Sequence, residues 1–137
     1  MTKTSPQQNK ALVLEAFDTL FNKRDYDAAS RFWSDKYIQH SAHIEPGREG
    51  LFGLIRSLPD SLRYEHGLIL AEGDYVIVHG RFSGHGRPAA WVAVDVVRIE
   101  NGVLAEHWTY SRTRRPKSNR RADCRCSAIA FPHDANR

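Results

Sequence analysis

The chain has 137 residues, 41% of them hydrophobic and 26% charged, with two cysteines; this is the length of one domain and the balance of a soluble globular one. No apolar run approaches the roughly 20 residues that span a bilayer. The N-terminal stretch from Met1 to Gln8 has no apolar signal core, so a cytoplasmic location is the expected default. The formal charge of +4 conceals two unlike parts. Residues 1–110 hold 12 Lys/Arg against 14 Asp/Glu, while residues 111–137 hold 8 against 2. The basic character belongs to the tail and gives the folded part no case for binding nucleic acid. Cys124 and Cys126 lie in the same tail and are too few for a disulfide framework or a zinc site.

Ser5-Pro6-Gln7-Gln8 reads as a helix start: Ser5 caps, Pro6 suits the first helical position, and Gln8 completes a capping box. Val13, Phe17, Leu20 and Phe21 follow on one face at helical spacing. Asp25 caps a second, shorter helix with Ala29, Phe32 and Trp33 on its buried side. Residues 37–40 read as a short strand. Leu51, Leu54, Ile55 and Leu58 mark a third helix that stops before Pro59. Beyond Pro59 the period changes from helical to alternating. Strands are predicted over 64–70, 75–82, 91–99 and 103–110, and Asn101-Gly102 is the strongest hairpin signal. In the 75–82 strand, Val76 and Val78 share one face, and Ile77 and His79 share the other. The expected fold class is α+β, with three N-terminal helices packed on a strongly curved antiparallel sheet over residues 1–110. Residues 111–137 have no periodicity and little to bury, so disorder is the expected state of this basic tail.

Several polar residues fall where apolar ones belong. Asp95 sits inside the otherwise apolar run Trp91-Val92-Ala93-Val94-Asp95-Val96-Val97. A buried carboxylate costs several kcal/mol unless paired, and an unpaired one shifts toward the neutral form. That is the behaviour of a general acid or base near neutrality; the plainer reading is an ion pair to Arg98 or Arg81. His107 lies across the Asn101-Gly102 hairpin from Asp95. Strand period puts His107 and Thr109 on one face and Glu106 and Trp108 on the other. Histidine titrates near neutral pH and can shuttle protons or orient a carboxylate, or simply be a hydrogen-bonded strand residue. His40 is a third candidate for the same cavity, and His79 a weaker one. His43, His66, His85 and His133 read as loop or surface residues. No pair has metal-ligand spacing, so no metal is expected, and there is no glycine-rich phosphate loop. Phe17, Phe32 and Trp33 read first as core.

Four segments, in order, resemble the SnoaL-like polyketide cyclase family, within the cone-shaped fold shared with nuclear transport factor two. They are Tyr37-Ile38-Gln39-His40, Gly47-Arg48-Glu49-Gly50-Leu51, the stretch from Ala71 to His79, and Val94-Asp95-Val96-Val97-Arg98-Ile99 leading to Asn101-Gly102 and Glu106-His107-Trp108. The resemblance covers residues 8–108. It implies a cystatin-like conical α+β barrel, a helix-lined pocket, a homodimer, and no metal or organic cofactor. It also implies acid/base chemistry of the aldol-condensation or isomerase type on a small carbonyl compound. In such a site Asp95, His107 and His40 are the expected catalytic residues, and Phe17, Trp33, His79 and Thr109 the expected ligand contacts. The alternative is a module that binds a small apolar ligand in the same pocket without turning it over. A third reading, a basic-tailed protein that contacts nucleic acid or acidic lipid, lacks the interleaved aromatics that stack on bases.

One position departs from the family pattern, which continues Glu-His-Trp-Asp with the cyclases' acid/base aspartate. Here that place is Thr109. Trp108 is encoded TGG and Thr109 ACN, so one G inserted between them makes the next codon GAC, aspartate whatever N is. Reading on, Tyr110, Ser111, Arg112 and Thr113 permit Val-Leu-Gln-Asp. Residues 109–137 are therefore expected to be a frameshifted tail, which would explain why charge, cysteines and periodicity change together; the alternative is a genuine basic extension.

Overall fold

The computed structural model describes residues 3–113. Helix α1 (Pro6–Phe17) starts at the expected capping box: the Gln8 N–H donates to Ser5 Oγ at 3.2 Å and the Ser5 N–H donates to Gln8 Oε1 at 2.8 Å. α1 runs on into a π-helical turn, Asp18–Asn22, which keeps Leu20 and Phe21 buried. Asn22 then behaves as a short piece of strand. Its amide donates to the Tyr64 carbonyl at 3.1 Å, and the Tyr64 N–H donates to its Oδ1 at 2.8 Å. Helix α2 spans only Tyr26–Ala29. Phe32 and Trp33 are therefore not on its buried side; Trp33 opens strand β1 (Trp33–Gln39). The reason is the sheet: the Phe32 carbonyl accepts from the Leu104 N–H at 2.7 Å, a partner that an isolated helical turn would not provide. Helix α3 (Gly47–Ser57) ends at Leu58, because the residue before Pro59 is driven out of the helical region.

Strands β2 (Arg63–Glu72), β3 (Tyr75–Ser83), β4 (Trp91–Glu100) and β5 (Val103–Thr113) form the antiparallel meander, in the sheet order β1-β5-β4-β3-β2. β1 pairs parallel to β5, a departure from an all-antiparallel sheet. The chain leaves β1 and passes through α3 and three further strands before β5, so no hairpin sets the relative direction of the two. β5 also runs past residue 110: Ser111, Arg112 and Thr113 pair with Ala93, Val92 and Trp91. Residues 114–137, with the expectation of disorder and both cysteines, lie outside the described residues. The helices cover one face of the sheet, where Phe17, Phe21, Trp33, Phe52, Val76 and Val78 belong to a single core cluster. The other face leaves Tyr75, Ile77 and Tyr110 exposed. No helix among the described residues is long and apolar enough to cross a membrane.

Candidate functional site

The Asn101-Gly102 turn, with φ of 55° and 75°, folds β4 onto β5 in a register that sets Asp95 opposite Thr109 and Val97 opposite His107. Residues two apart share a face, so Asp95, His107 and Thr109 all point toward the helices. His107 Nε2 lies 2.6 Å from Asp95 Oδ1. The Thr109 hydroxyl donates to the same Oδ1 at 2.9 Å and lies 2.8 Å from His107 Nε2. Asp95 is 3% and His107 5% exposed. A charge so deeply buried is tolerable only with partners of this kind. Of the two arginines named from the sequence, Arg98 lies on the opposite face of β4 and binds Glu106 and Glu100, while Arg81 binds Glu65 at 2.9 Å.

The other side of the imidazole is held by β1. The Ser41 N–H donates to Gln39 Oε1 at 3.0 Å, which turns the Gln39 amide nitrogen inward. That nitrogen donates to the Tyr37 hydroxyl at 2.9 Å and sits 3.0 Å from His107 Nδ1. The Tyr37 hydroxyl is itself 2.9 Å from Nδ1. With donors gathered there, Nδ1 is the acceptor, which assigns the ring proton to Nε2, aimed at Asp95. Burial, reinforced by the nearby Asp95 charge, pushes the Tyr37 hydroxyl above the ordinary phenol range, so it remains a donor.

This network borders a cavity of about 400 Å³. Leu51, Leu54 and Ile55 of α3, with Leu58 just beyond its end, form one wall, and Phe21 and Phe82 lie beside them. Asp95, His107 and Thr109 are on the sheet side, and Ser41, His43 and Arg112 also border the cavity. A carboxylate and an imidazole in an apolar enclosure suit proton transfer to and from carbon, because the low dielectric strengthens their action on a bound carbonyl.

The remaining sequence candidates lie elsewhere. His40 is not in the cavity. Gln39 is in register with His107, so His40 falls on the opposite face, where its Nε2 lies 2.7 Å from Glu106 Oε1 and its ring stacks on Trp108. His79 is likewise on the outer face, since its neighbour Val78 is the residue opposite Asp95. Phe17 and Trp33 stack on each other in the core behind the site, and the Phe17 ring meets His107 edge-on with centroids 6.4 Å apart. Of the histidines read as loop or surface residues, His43 is exposed on a loop, where it borders the cavity, while His85 is buried in its loop against Trp91, ring centroids 3.8 Å apart. Tyr37 and Gln39 were not singled out from the sequence. Their signal was the period of two within Tyr37-Ile38-Gln39, visible only once β1 is known to lie on β5. Among the described residues there is no group of three or more His, Cys, Asp or Glu side chains that could hold a metal ion.

Residues 13–107 match a family model described as SnoaL-like domain. No curated protein matches the sequence. Among solved structures, the chain is similar to a candidate ketosteroid isomerase from Kribbella flavida DSM 17836, with 18% identity, TM-score 0.70, and coverage of 89% of this chain and 87% of that one. It is also similar to a candidate polyketide cyclase from Bacillus cereus ATCC 10987, at 17% identity and TM-score 0.66 over 76% of this chain and 74% of that one. A third is an LEH-like epoxide hydrolase from M. tuberculosis, at 15% identity and TM-score 0.61 over 78% and 84%. At these identities the likeness is one of fold.

Proposed function

Because the chain belongs to the SnoaL-like domain family, we propose that it is a cofactor-free acid/base protein. It would move a proton at carbon in a small carbonyl compound, as an aldol-type cyclase or an isomerase does. The observation that carries this reading is the Asp95–His107 pair on the wall of an apolar cavity, 2.6 Å apart and both buried. Oδ1 of Asp95 accepts from Thr109 and faces the His107 Nε2–H, while Oδ2 has no hydrogen-bond partner. Oδ2 is the base: it takes the α-proton of the bound carbonyl, the C–H electron pair becomes the new C=C bond, and the carbonyl pair moves onto oxygen. His107 keeps the carboxylate oriented, with Tyr37 and Gln39 holding the ring. The enolate then attacks a second carbonyl, whose π pair moves onto its oxygen and takes the proton back from Asp95, or regains that proton from Asp95 at another carbon.

The test is α-hydrogen exchange with deuterated solvent, followed by NMR on a panel of small ketones and β-dicarbonyl compounds. Asp95→Asn should lower the exchange rate by about 10²–10⁴. A wild-type rate equal to the protein-free rate on every compound would remove the enzyme reading. The second reading, a ligand-binding module with the same pocket, is favoured by Thr109, whose hydroxyl cannot exchange protons near neutral pH; binding without exchange would establish it. We further propose that two copies pair through the exposed outer face of the sheet, in keeping with the apolar side chains of Ile77 and Tyr110 found there.

A further inference from the structure

The family match ends at residue 107, yet β5 continues beside the cavity as far as Thr113. Residues two apart on a strand share a face, so Thr109, Ser111 and Thr113 follow His107 on the cavity side, and all three border the cavity. A strand that only closed an apolar pocket would carry apolar side chains at these positions, as β4 does opposite them at Ala93 and Trp91. β5 presents three hydroxyls instead.

The three hydroxyls are not equivalent. Thr109 is taken up by Asp95, to which it donates at 2.9 Å. Ser111 and Thr113 are exposed, Ser111 opposite Ala93 and Thr113 opposite Trp91. Ala93 presents only a methyl group beside Ser111, which leaves room there for a ligand atom. Trp91 ends the row with a much larger side chain, and stacking on the buried His85 ring, with planes at 10°, braces its indole. Asp95 gives a separate sign of a ligand. It is 3% exposed and borders the cavity, and its Oδ2 has no hydrogen-bond partner; native interiors rarely leave such an atom unmet. Because Thr109 is opposite Asp95, Ser111 is the diagonal neighbour of Asp95, and such positions lie roughly 7–8 Å apart. The side chains that α3 brings to the cavity, Leu51, Leu54 and Ile55, are all apolar.

We propose that Ser111 forms a second polar subsite, and that the ligand carries a second oxygen function, a hydroxyl or a carbonyl, about 7 Å from the one that meets Asp95. This rests on the reading that the cavity takes a carbonyl compound. The ligand is then oxygenated along the edge that lies on the sheet and apolar on the flank that meets α3. A serine hydroxyl both donates and accepts, so Ser111 takes either kind of oxygen. Thr113 is two residues further out, roughly another 7 Å along the strand, and a group at the proposed spacing does not reach it. A compound with its two oxygens on neighbouring atoms reaches one subsite at a time. Ser111 therefore selects by the spacing of the oxygens and not by polarity alone.

The test titrates the full chain with three fluorescent naphthalenes: 2-naphthol, with one hydroxyl; 2,6-dihydroxynaphthalene, with hydroxyls at opposite ends; and 2,3-dihydroxynaphthalene, with hydroxyls side by side. The wild type should bind all three. Ser111→Ala should weaken 2,6-dihydroxynaphthalene about tenfold, the loss expected for one hydrogen bond, and leave the other two unchanged. Thr113→Val should leave all three unchanged. If Ser111→Ala does not alter binding of the 2,6-compound, or weakens all three alike, or if Thr113→Val reproduces the selective loss, the assignment is overturned. If the wild type binds none of them, the proposal falls together with the reading of the cavity. A selective loss in a protein that exchanges no α-hydrogen on any carbonyl compound would support the subsite and remove only the enzyme reading.

Discussion

Thr109 brings its hydroxyl within 2.9 Å of Asp95 Oδ1, so any acid at this position would touch the candidate base directly. Two carboxylates at such a distance cannot both ionise, and one keeps a proton. Thr109→Asp should therefore supply an acid beside a base and raise α-proton exchange by about 10²-fold or more. A folded variant with no gain, measured on the same carbonyl panel, would show that Asp95 and His107 do not form the rest of such a site. A chain restored to Asp-Val-Leu-Gln-Asp from position 109 should do better, and resequencing codons 105–115 tests the frameshift proposed for the tail. On the outer face, Glu106 is held below the ordinary carboxylate range, first by His40 and then by Arg98. A carboxylate lowered on folding contributes stability above its unfolded pKa and loses it as pH falls through the folded value. Glu106→Gln should accordingly flatten the acid side of the stability profile, read as urea midpoints from neutral to acidic pH.

At the scale of elements, the β4–β5 hairpin sets the register on which the site depends. A slip of one residue would turn Asp95 and His107 to the outer face. Gly102 has φ of 75° and open space around the place of a Cβ, so Gly102→Ala carries a backbone cost alone, about 1 kcal/mol. Asn101, at φ 55°, is one of the residue types that tolerate this region, and Asn101→Gly should be close to neutral. Urea unfolding of both variants checks the pair; equal effects would mean that the turn does not limit the hairpin.

For the whole molecule, the outer sheet face exposes Ile38, Tyr75, Ile77 and Tyr110, with Tyr110 at 67%. If this face is a dimer interface, light scattering at micromolar concentration should give twice the monomer mass, and Ile77→Glu should give the monomer with the fold intact. A wild-type monomer under these conditions would contradict the pairing. The helices, the four-stranded meander and the common face of Asp95, His107 and Thr109 could be read from the sequence because they are local properties. A cap, a turn dipeptide and a period of two are set by neighbours within a few residues. Parity alone names neither the buried face nor the partner across it. His40, Tyr37 and Gln39 were sorted by β1 docking parallel on β5, and the contact between Tyr37 and His107 joins residues 70 apart in the chain. The Asn22 clamp on Tyr64 likewise joins residues 42 apart. Contacts closed over such distances leave no period in the chain, so only the packed structure decides them.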